Sequence, residues 1–164
     1  MKKPIRIHDR MAGVSMVEAL VALVIISVGM LGIAGLYLSS LQAGRSANLR
    51  MQAVNLATDM ADHIRANKVG LANYKALAAD KGTSHDCVTA SCSPKDMAEN
   101  DIYVWKREIS AALPANANGT LTYTDVATVD PTKVPPDRCE VLITWREAGS
   151  DVDSTYKTTV EMQP

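Results

Sequence analysis

Gly13-Val14-Ser15-Met16-Val17-Glu18, followed by the apolar run at residues 19–38, decides the fold of this chain. The run is uncharged, and Ser27 is its clearly polar side chain. About 20 helical residues at about 1.5 Å each span about 30 Å, the thickness of the hydrocarbon core of a bilayer. The stretch therefore predicts a membrane-spanning helix that begins close to Glu18.

Basic residues before the apolar run predict the orientation of that helix. They are Lys2, Lys3, Arg6 and Arg10. Positive charges favour the cytoplasmic side, so the N-terminus should stay in the cytoplasm while the rest crosses the inner membrane. A secretory signal peptide fits less well, because its apolar core is shorter and is followed by a small-x-small cleavage site, which residues 38–45 lack.

Glu18 is an acid at the lipid boundary, where a charge costs up to about 3 kcal/mol if it is drawn inward. The structural interpretation is an acid at a helix start, favoured by the helix dipole. The functional interpretation needs a positive partner. Cleavage after Gly13 would create one, because the new amine of Val14 lies one helical turn before Glu18 and could neutralise the Glu18 of a neighbouring helix.

At these residues the chain resembles the type IV prepilins, whose class III leaders are short and basic and end in Gly. An apolar residue, a Glu at this spacing and a membrane-spanning helix follow. The resemblance covers residues 1–41 and implies that a prepilin peptidase cleaves after Gly13 and methylates the new N-terminus at Val14. It predicts a leader at residues 1–13, an assembly half of the helix at 14–41 and a periplasmic head at 42–164.

One departure from the prepilin pattern favours a minor pilin over a major fibre subunit: the helix-kinking Pro of many major pilins is absent. Val14 stands where Phe is usual, although other apolar residues also occur there in the family. Gly29, Gly32 and Gly35 occupy positions where the helix could loosen or pack closely.

The composition sets broad limits on the function. The 164 residues contain 17 basic and 18 acidic side chains, so no nucleic-acid partner is expected. The length accommodates one soluble domain plus an anchor. With no Phe and 4% aromatic residues, the core should be modest and aliphatic.

The helical pattern continues beyond the apolar run. No Pro interrupts residues 14–68, and Gly70 offers a stop. A stripe at spacings of three and four predicts the buried face: Leu49, Ala53, Leu56, Met60 and Ile64. His63, on the same stretch, is expected to be a surface or edge residue.

A second helix is predicted to begin at Ser93 and to end before Pro114. Ser93 is a suitable cap, Pro94 suits the first turn, and Asp96 completes a capping-box pattern. Its apolar stripe is Ile102, Trp105, Ile109 and Leu113, with Trp105 as a core anchor.

Strand patterns occupy residues 119–126, 139–145 and 155–162, and a loop with Pro131, Pro135 and Pro136 separates the first two. The chain should therefore be α+β, with the long helix packed on a small antiparallel sheet, as in the pilin fold. Asp151 and Asp153 could hold calcium, but with too few acidic ligands a hairpin turn is the better interpretation.

The cysteines allow alternatives. Cys87 and Cys92 bracket four residues, and an oxidising periplasm favours a disulfide between them, although pairing with Cys139 stays open. A zinc site of His85, Cys87, Cys92 and Cys139 is a further alternative, but it lacks a Cys-x-x-Cys pair. We therefore expect no metal and no cofactor.

Later segments resemble the PilV-type minor pilins. The phrase at residues 59–67, the Ser-Pro helix with Trp105 and the strand end at Thr144-Trp145 carry this resemblance. It implies a role in priming pilus assembly near the tip, and so in twitching motility and cell adhesion. The implied partners are minor and major pilins, the prepilin peptidase, the inner-membrane assembly platform and a tip adhesin.

The chain shows no Ser-His-Asp set, no Gly-rich phosphate loop and no paired histidines, so we expect no enzyme activity. Two alternatives to a pilus subunit remain. One is a minor pseudopilin of type II secretion, with the same leader and helix. The other is a membrane-tethered periplasmic metal-binding module.

Overall fold

One long helix carries the N-terminal part of the chain. The structure, a computed structural model, describes residues 15–76, 81–124 and 137–162. Helix α1 comprises Met16–Ala66, 51 residues without a Pro, which confirms the predicted continuous helix. A short 3-10 turn at Lys68–Gly70 ends it, where the Gly70 N–H donates to Asn67 Oδ1 at 3.2 Å. The chain divides into two units, with the boundary between Gly44 and Arg45 of α1.

Two further helices belong to the second unit. They are α2 (Leu71–Ala76) and α3 (Pro94–Ala112). The predicted capping box is confirmed: the Asp96 N–H donates to Ser93 Oγ at 3.2 Å, and the Ser93 N–H donates to Asp96 Oδ2 at 3.4 Å. These bonds satisfy two of the backbone donors that a helix start leaves without partners.

The strands form a three-stranded antiparallel sheet in the order β1-β2-β3. They are β1 (Asn118–Thr124), β2 (Asp137–Arg146) and β3 (Asp153–Met162). This confirms the predicted α+β class and the three strands, with ends that differ by a few residues. The end predicted for the first strand and the proline-containing loop lie outside the described residues.

The β2–β3 connection is the predicted hairpin turn. The Ser150 N–H donates to Glu147 O at 3.1 Å, and Gly149 has a φ of +85°, which an L side chain rarely adopts. Asp153, one of the two acids considered for calcium, instead accepts from Arg146 Nε at 2.7 Å. The carboxylate therefore stabilises the hairpin.

The core contribution of α1 differs in detail from the prediction. Small residues dominate its buried face, which consists of Ala53, Ala57, Met60, Ala61 and Ile64. Leu49 and Leu56 are only partly buried at the margin. The alanines let neighbouring elements approach the helix closely, and Trp105 Nε1 of α3 donates to the Leu56 carbonyl at 2.9 Å.

Helix α3 and the sheet complete the core. The predicted apolar stripe of α3 is buried, as expected, and one face of β2 is buried with it: Ile102, Trp105, Ile109, Leu113, Val141, Ile143 and Trp145. Gly119 of β1 lies against α3, where an added Cβ would be 2.5 Å from both the Trp105 ring and Ile109 Cδ1. Glycine therefore permits the close contact between α3 and the sheet.

Candidate functional site

The first turn of α1 contains the acid that the sequence predicted to act in assembly. Ser15 caps this helix: its Oγ accepts from the Glu18 N–H at 3.2 Å, and its carbonyl accepts from the Ala19 N–H at 3.2 Å. Glu18 consequently lies at the positive end of the helix dipole, which favours its carboxylate. The residues predicted for cleavage and methylation, Gly13 and Val14, lie outside the described residues.

Around and beyond Glu18, the anchor half of α1, residues 16–44, presents apolar side chains on every side. All the large apolar residues from Met16 to Leu41 are between 52% and 87% exposed. Glu18 is the one charged residue between positions 16 and 44. An 18-residue window of this helix has a mean hydropathy of 2.6 and none of it is buried, so α1 is long and apolar enough to cross a membrane.

Polar and small residues in this half do not alter its apolar character. Ser27 Oγ donates to the Leu23 carbonyl at 2.7 Å, which satisfies the hydroxyl within the helix. An added Cβ at Gly29, Gly32 or Gly35 would meet nothing within 4 Å. The packing of this chain on itself therefore does not require these glycines. An exposed apolar surface of this extent needs lipid or other proteins to cover it.

The cysteines resolve into one pair and one free thiol. A disulfide joins Cys87 and Cys92, whose Cα atoms are 5.3 Å apart. Cys139 is free and 1% exposed on β2, and burial raises the pKa of its thiol from 9.0 to about 11. The zinc set of three cysteines and His85 is wrong, because two of its thiols form the disulfide.

A buried polar cluster, which sequence reasoning missed, connects the end of α1 to α2 and α3. Tyr74 OH donates to Asp101 Oδ2, and His63 Nδ1 lies 3.4 Å from Asp101 Oδ1. Asn67 Nδ2 donates to the Pro94 carbonyl at 2.8 Å. The pKa of Tyr74 is raised above its usual value by burial and by the bond to Asp101. These contacts satisfy buried polar groups, and no sequence spacing indicates them.

His63 is the exposed member of that cluster. Its side chain is 47% exposed, which confirms the expectation of an edge residue, and its Nε2 lies 3.6 Å from Asp59 Oδ2. The histidine therefore lies between two carboxylates at the surface of the head.

Two family comparisons cover more than half of the chain. Residues 9–34 match the prokaryotic N-terminal methylation motif. Residues 35–103 match the Tt1218-like family, described as type IV pilin Tt1218. The chain is a type IV pilin. Neither a curated protein nor a solved structure matches it.

Membership of this family indicates a structural role in pilus assembly for the exposed apolar helix. Pilins are structural proteins rather than enzymes, and the family implies prepilin peptidase processing and assembly with other pilins. The leader motif and the exposed apolar half of α1 fit membrane anchoring followed by incorporation into a pilus.

Proposed function

We propose that this pilin is a minor pilin of the PilV type, which helps to initiate pilus assembly and occupies the pilus tip. One observation carries the assembly role: the anchor half of α1 is apolar and exposed all round, apart from the single acid Glu18. The absence of a Pro from the 51 residues of α1 supports a minor rather than a major subunit.

In this proposal the prepilin peptidase removes residues 1–13 and methylates Val14. Residues 14–41 then form the assembly half of the helix, and residues 42–164 form the periplasmic head. Before assembly the chain crosses the inner membrane once, with its N-terminus in the cytoplasm. It then joins other minor and major pilins through the assembly platform and occupies the pilus tip, where an adhesin could bind.

Glu18 fixes the axial position of one pilin helix against its neighbour during assembly. A carboxylate that leaves the water interface without a partner is strongly unfavourable, whereas a close, hydrogen-bonded positive partner offsets part of that desolvation cost. The positive amine of a neighbouring Val14 would supply the pair only when the neighbouring helix is displaced along its axis by about one turn, so that its first residue lies beside Glu18. Charge pairing therefore selects one axial position, while the apolar side chains provide contact area without a preferred position.

Substitution of Glu18 tests this step. Glu18→Ala and Glu18→Gln should leave the protein in the membrane fraction but reduce its amount in sheared pili. Glu18→Asp keeps the charge and should reduce that amount less. Ser40→Ala, in the same half of α1, is the matched control and should behave as wild type. Normal incorporation of Glu18→Ala would contradict the pairing.

Deletion of the chain tests the initiating role. A priming subunit is needed once per fibre, so its loss should lower the number of pili per cell while the remaining fibres keep a normal length distribution. Labelling should place the protein at fibre ends. Labelling along the whole fibre would contradict a minor role, and a secretion defect with normal pili would favour the pseudopilin alternative.

Intact-mass spectrometry of the protein from native membranes tests the processing. The expected species begins at a methylated Val14, and Gly13→Val should retain residues 1–13. A native protein that begins at Met1 would contradict the proposal at its first step.

A further inference from the structure

The coil at residues 81–86 is attached to the N-terminal half of α3. The Thr83 N–H donates to the Glu99 carbonyl at 3.2 Å, and the His85 N–H donates to Asn100 Oδ1 at 3.0 Å. Gly82, with a φ of +69°, lies so close to α3 that an added Cβ would be 2.5 Å from the Tyr103 nitrogen. The backbone of the coil is therefore held in place independently of the His85 ring.

This attachment brings one imidazole and two carboxylates together. Ligand atoms of His85, Asp96 and Glu99 all lie within 4.8 Å of one another. His85 Nε2 is 2.8 Å from Glu99 Oε2, and the side chains are 28% and 16% exposed, respectively. Asp96 and Glu99 are three residues apart in α3, which places them on the same face of the helix.

The donor set indicates which cation would fit. Zinc binds imidazole nitrogen and carboxylate oxygen at about 2.0–2.2 Å, and three protein ligands leave a position for water or an outside donor. Calcium takes about six to eight oxygen ligands, which one imidazole and two carboxylates do not supply. We propose that His85, Asp96 and Glu99 form an open Zn²⁺ site that cross-links the coil at residues 81–86 to α3.

The present contacts of these side chains are compatible with that site. Asp96 Oδ2 accepts from Ser93 Oγ at 2.8 Å, so Oδ1 is the oxygen that would bind the metal while the helix cap is kept. Lys95 Nζ lies 3.6 Å from Glu99 Oε1, but its side chain is 67% exposed and can turn to solvent. His85 would bind through Nε2 as the neutral imidazole, and any proton shared with Glu99 would be released to solvent.

The disulfide reduces the conformational entropy that the chain would lose when a metal binds to the site. Cys87 lies two residues after His85, and Cys92 lies immediately before the cap residue Ser93. The bond therefore closes the chain between the histidine and the two carboxylates. Less conformational entropy remains to be lost when the metal binds, because the chain between the ligands is already constrained.

The test uses the full chain in detergent micelles, stripped with a chelator and dialysed against Zn²⁺. Elemental analysis should find one Zn²⁺ per chain, and Zn²⁺ should raise the unfolding temperature of the wild type. His85→Ala and Glu99→Gln should each weaken Zn²⁺ binding at least about tenfold, because even outer contacts to a metal ligand contribute that much. Excess Ca²⁺ should not displace the Zn²⁺.

A matched control is available at the surface of α1. His63 also has two carboxylates, at 3.4 and 3.6 Å, yet it lies outside the proposed site, so His63→Ala should bind Zn²⁺ as the wild type does. If His85→Ala does not fold, Asp96→Asn replaces it, since the amide oxygen can still accept from Ser93. Absence of bound Zn²⁺ in the wild type, retention by the His85 and Glu99 variants, or loss in His63→Ala would each overturn the proposal.

Discussion

The two parts of α1 share one backbone conformation but differ in what stabilises them. From Arg45 onward the helix buries a narrow face of mostly small residues, such as Ala57, in the core of its own chain. Up to Gly44 its large apolar side chains are at least 52% exposed. The second part is therefore stabilised by packing within the chain, and the first by the lipid or the other proteins that cover it. Substitutions in the head should change its unfolding, and substitutions in the anchor half should change assembly.

Truncation of Trp105 should give the largest effect on the head. Trp105 is 2% exposed and donates to the Leu56 carbonyl at 2.9 Å, so Trp105→Ala removes both core volume and a hydrogen bond. We expect a loss of about 3–5 kcal/mol in the free energy of unfolding. Denaturant titration of the full chain in micelles, followed by the fluorescence of Trp145, measures it.

Leu31→Ala is the matched truncation in the anchor half. Leu31 is 74% exposed, so the free energy of unfolding of the head should stay within about 0.5 kcal/mol of the wild type. A loss comparable to that of Trp105→Ala would break the distinction between the two parts, because it would show that the head depends on the anchor half.

The sequence predicts that the first part of α1 is apolar all round and that the second part buries one face, because each part has its own local pattern. A charge-free run and a stripe at spacings of three and four depend on neighbours in the sequence alone. The burial of each stripe position does not follow from spacing alone. Ala57 and Ala61 are buried while Leu49 and Leu56 lie at the margin, because the packing of the whole head decides which residues of α1 are covered.

The same local patterns do not predict contacts between segments that are distant in the sequence. Residue spacing favours a Cys87–Cys92 pair but does not exclude Cys139, and the structure shows that Cys139 is buried on β2 and free. The Tyr74–Asp101 contact and the approach of His85 to Glu99 join segments with no common period. The sequence identifies Asp96 as part of a helix cap, but its position beside His85 depends on the packing of the coil on α3.

Removal of the disulfide should give the next largest effect on the head. A closed loop of six residues implies a contribution of about 2 kcal/mol from the restricted unfolded chain. Cys87→Ser with Cys92→Ser should therefore lower the free energy of unfolding by about that amount, and reduction of the wild type should reproduce it. A reductant effect that persists in the double variant would contradict this assignment.

Alkaline pH should weaken the head through Cys139. Because burial raises the pKa of this thiol from 9.0 to about 11, the folded state keeps its proton at pH values where the unfolded chain has lost it. Stability is then lost as the pH rises above the unfolded value, by at most about 1.4 kcal/mol at about pH 10. Cys139→Ala should show a flatter decline between about pH 8 and about pH 10, and an unchanged slope would contradict the burial of this thiol.

The two serine caps provide the smallest and most direct comparison of the two parts. Ser93 Oγ accepts from the Asp96 N–H and Ser15 Oγ accepts from the Glu18 N–H, both at 3.2 Å. Loss of such a cap costs about 1 kcal/mol, so Ser93→Ala should lower the free energy of unfolding of the head by about that amount. Ser15→Ala should leave it unchanged, because its helix end belongs to the anchor half. Equal losses in the two variants would mean that the unfolding of the head includes the start of α1, and the two parts would then form one cooperative unit.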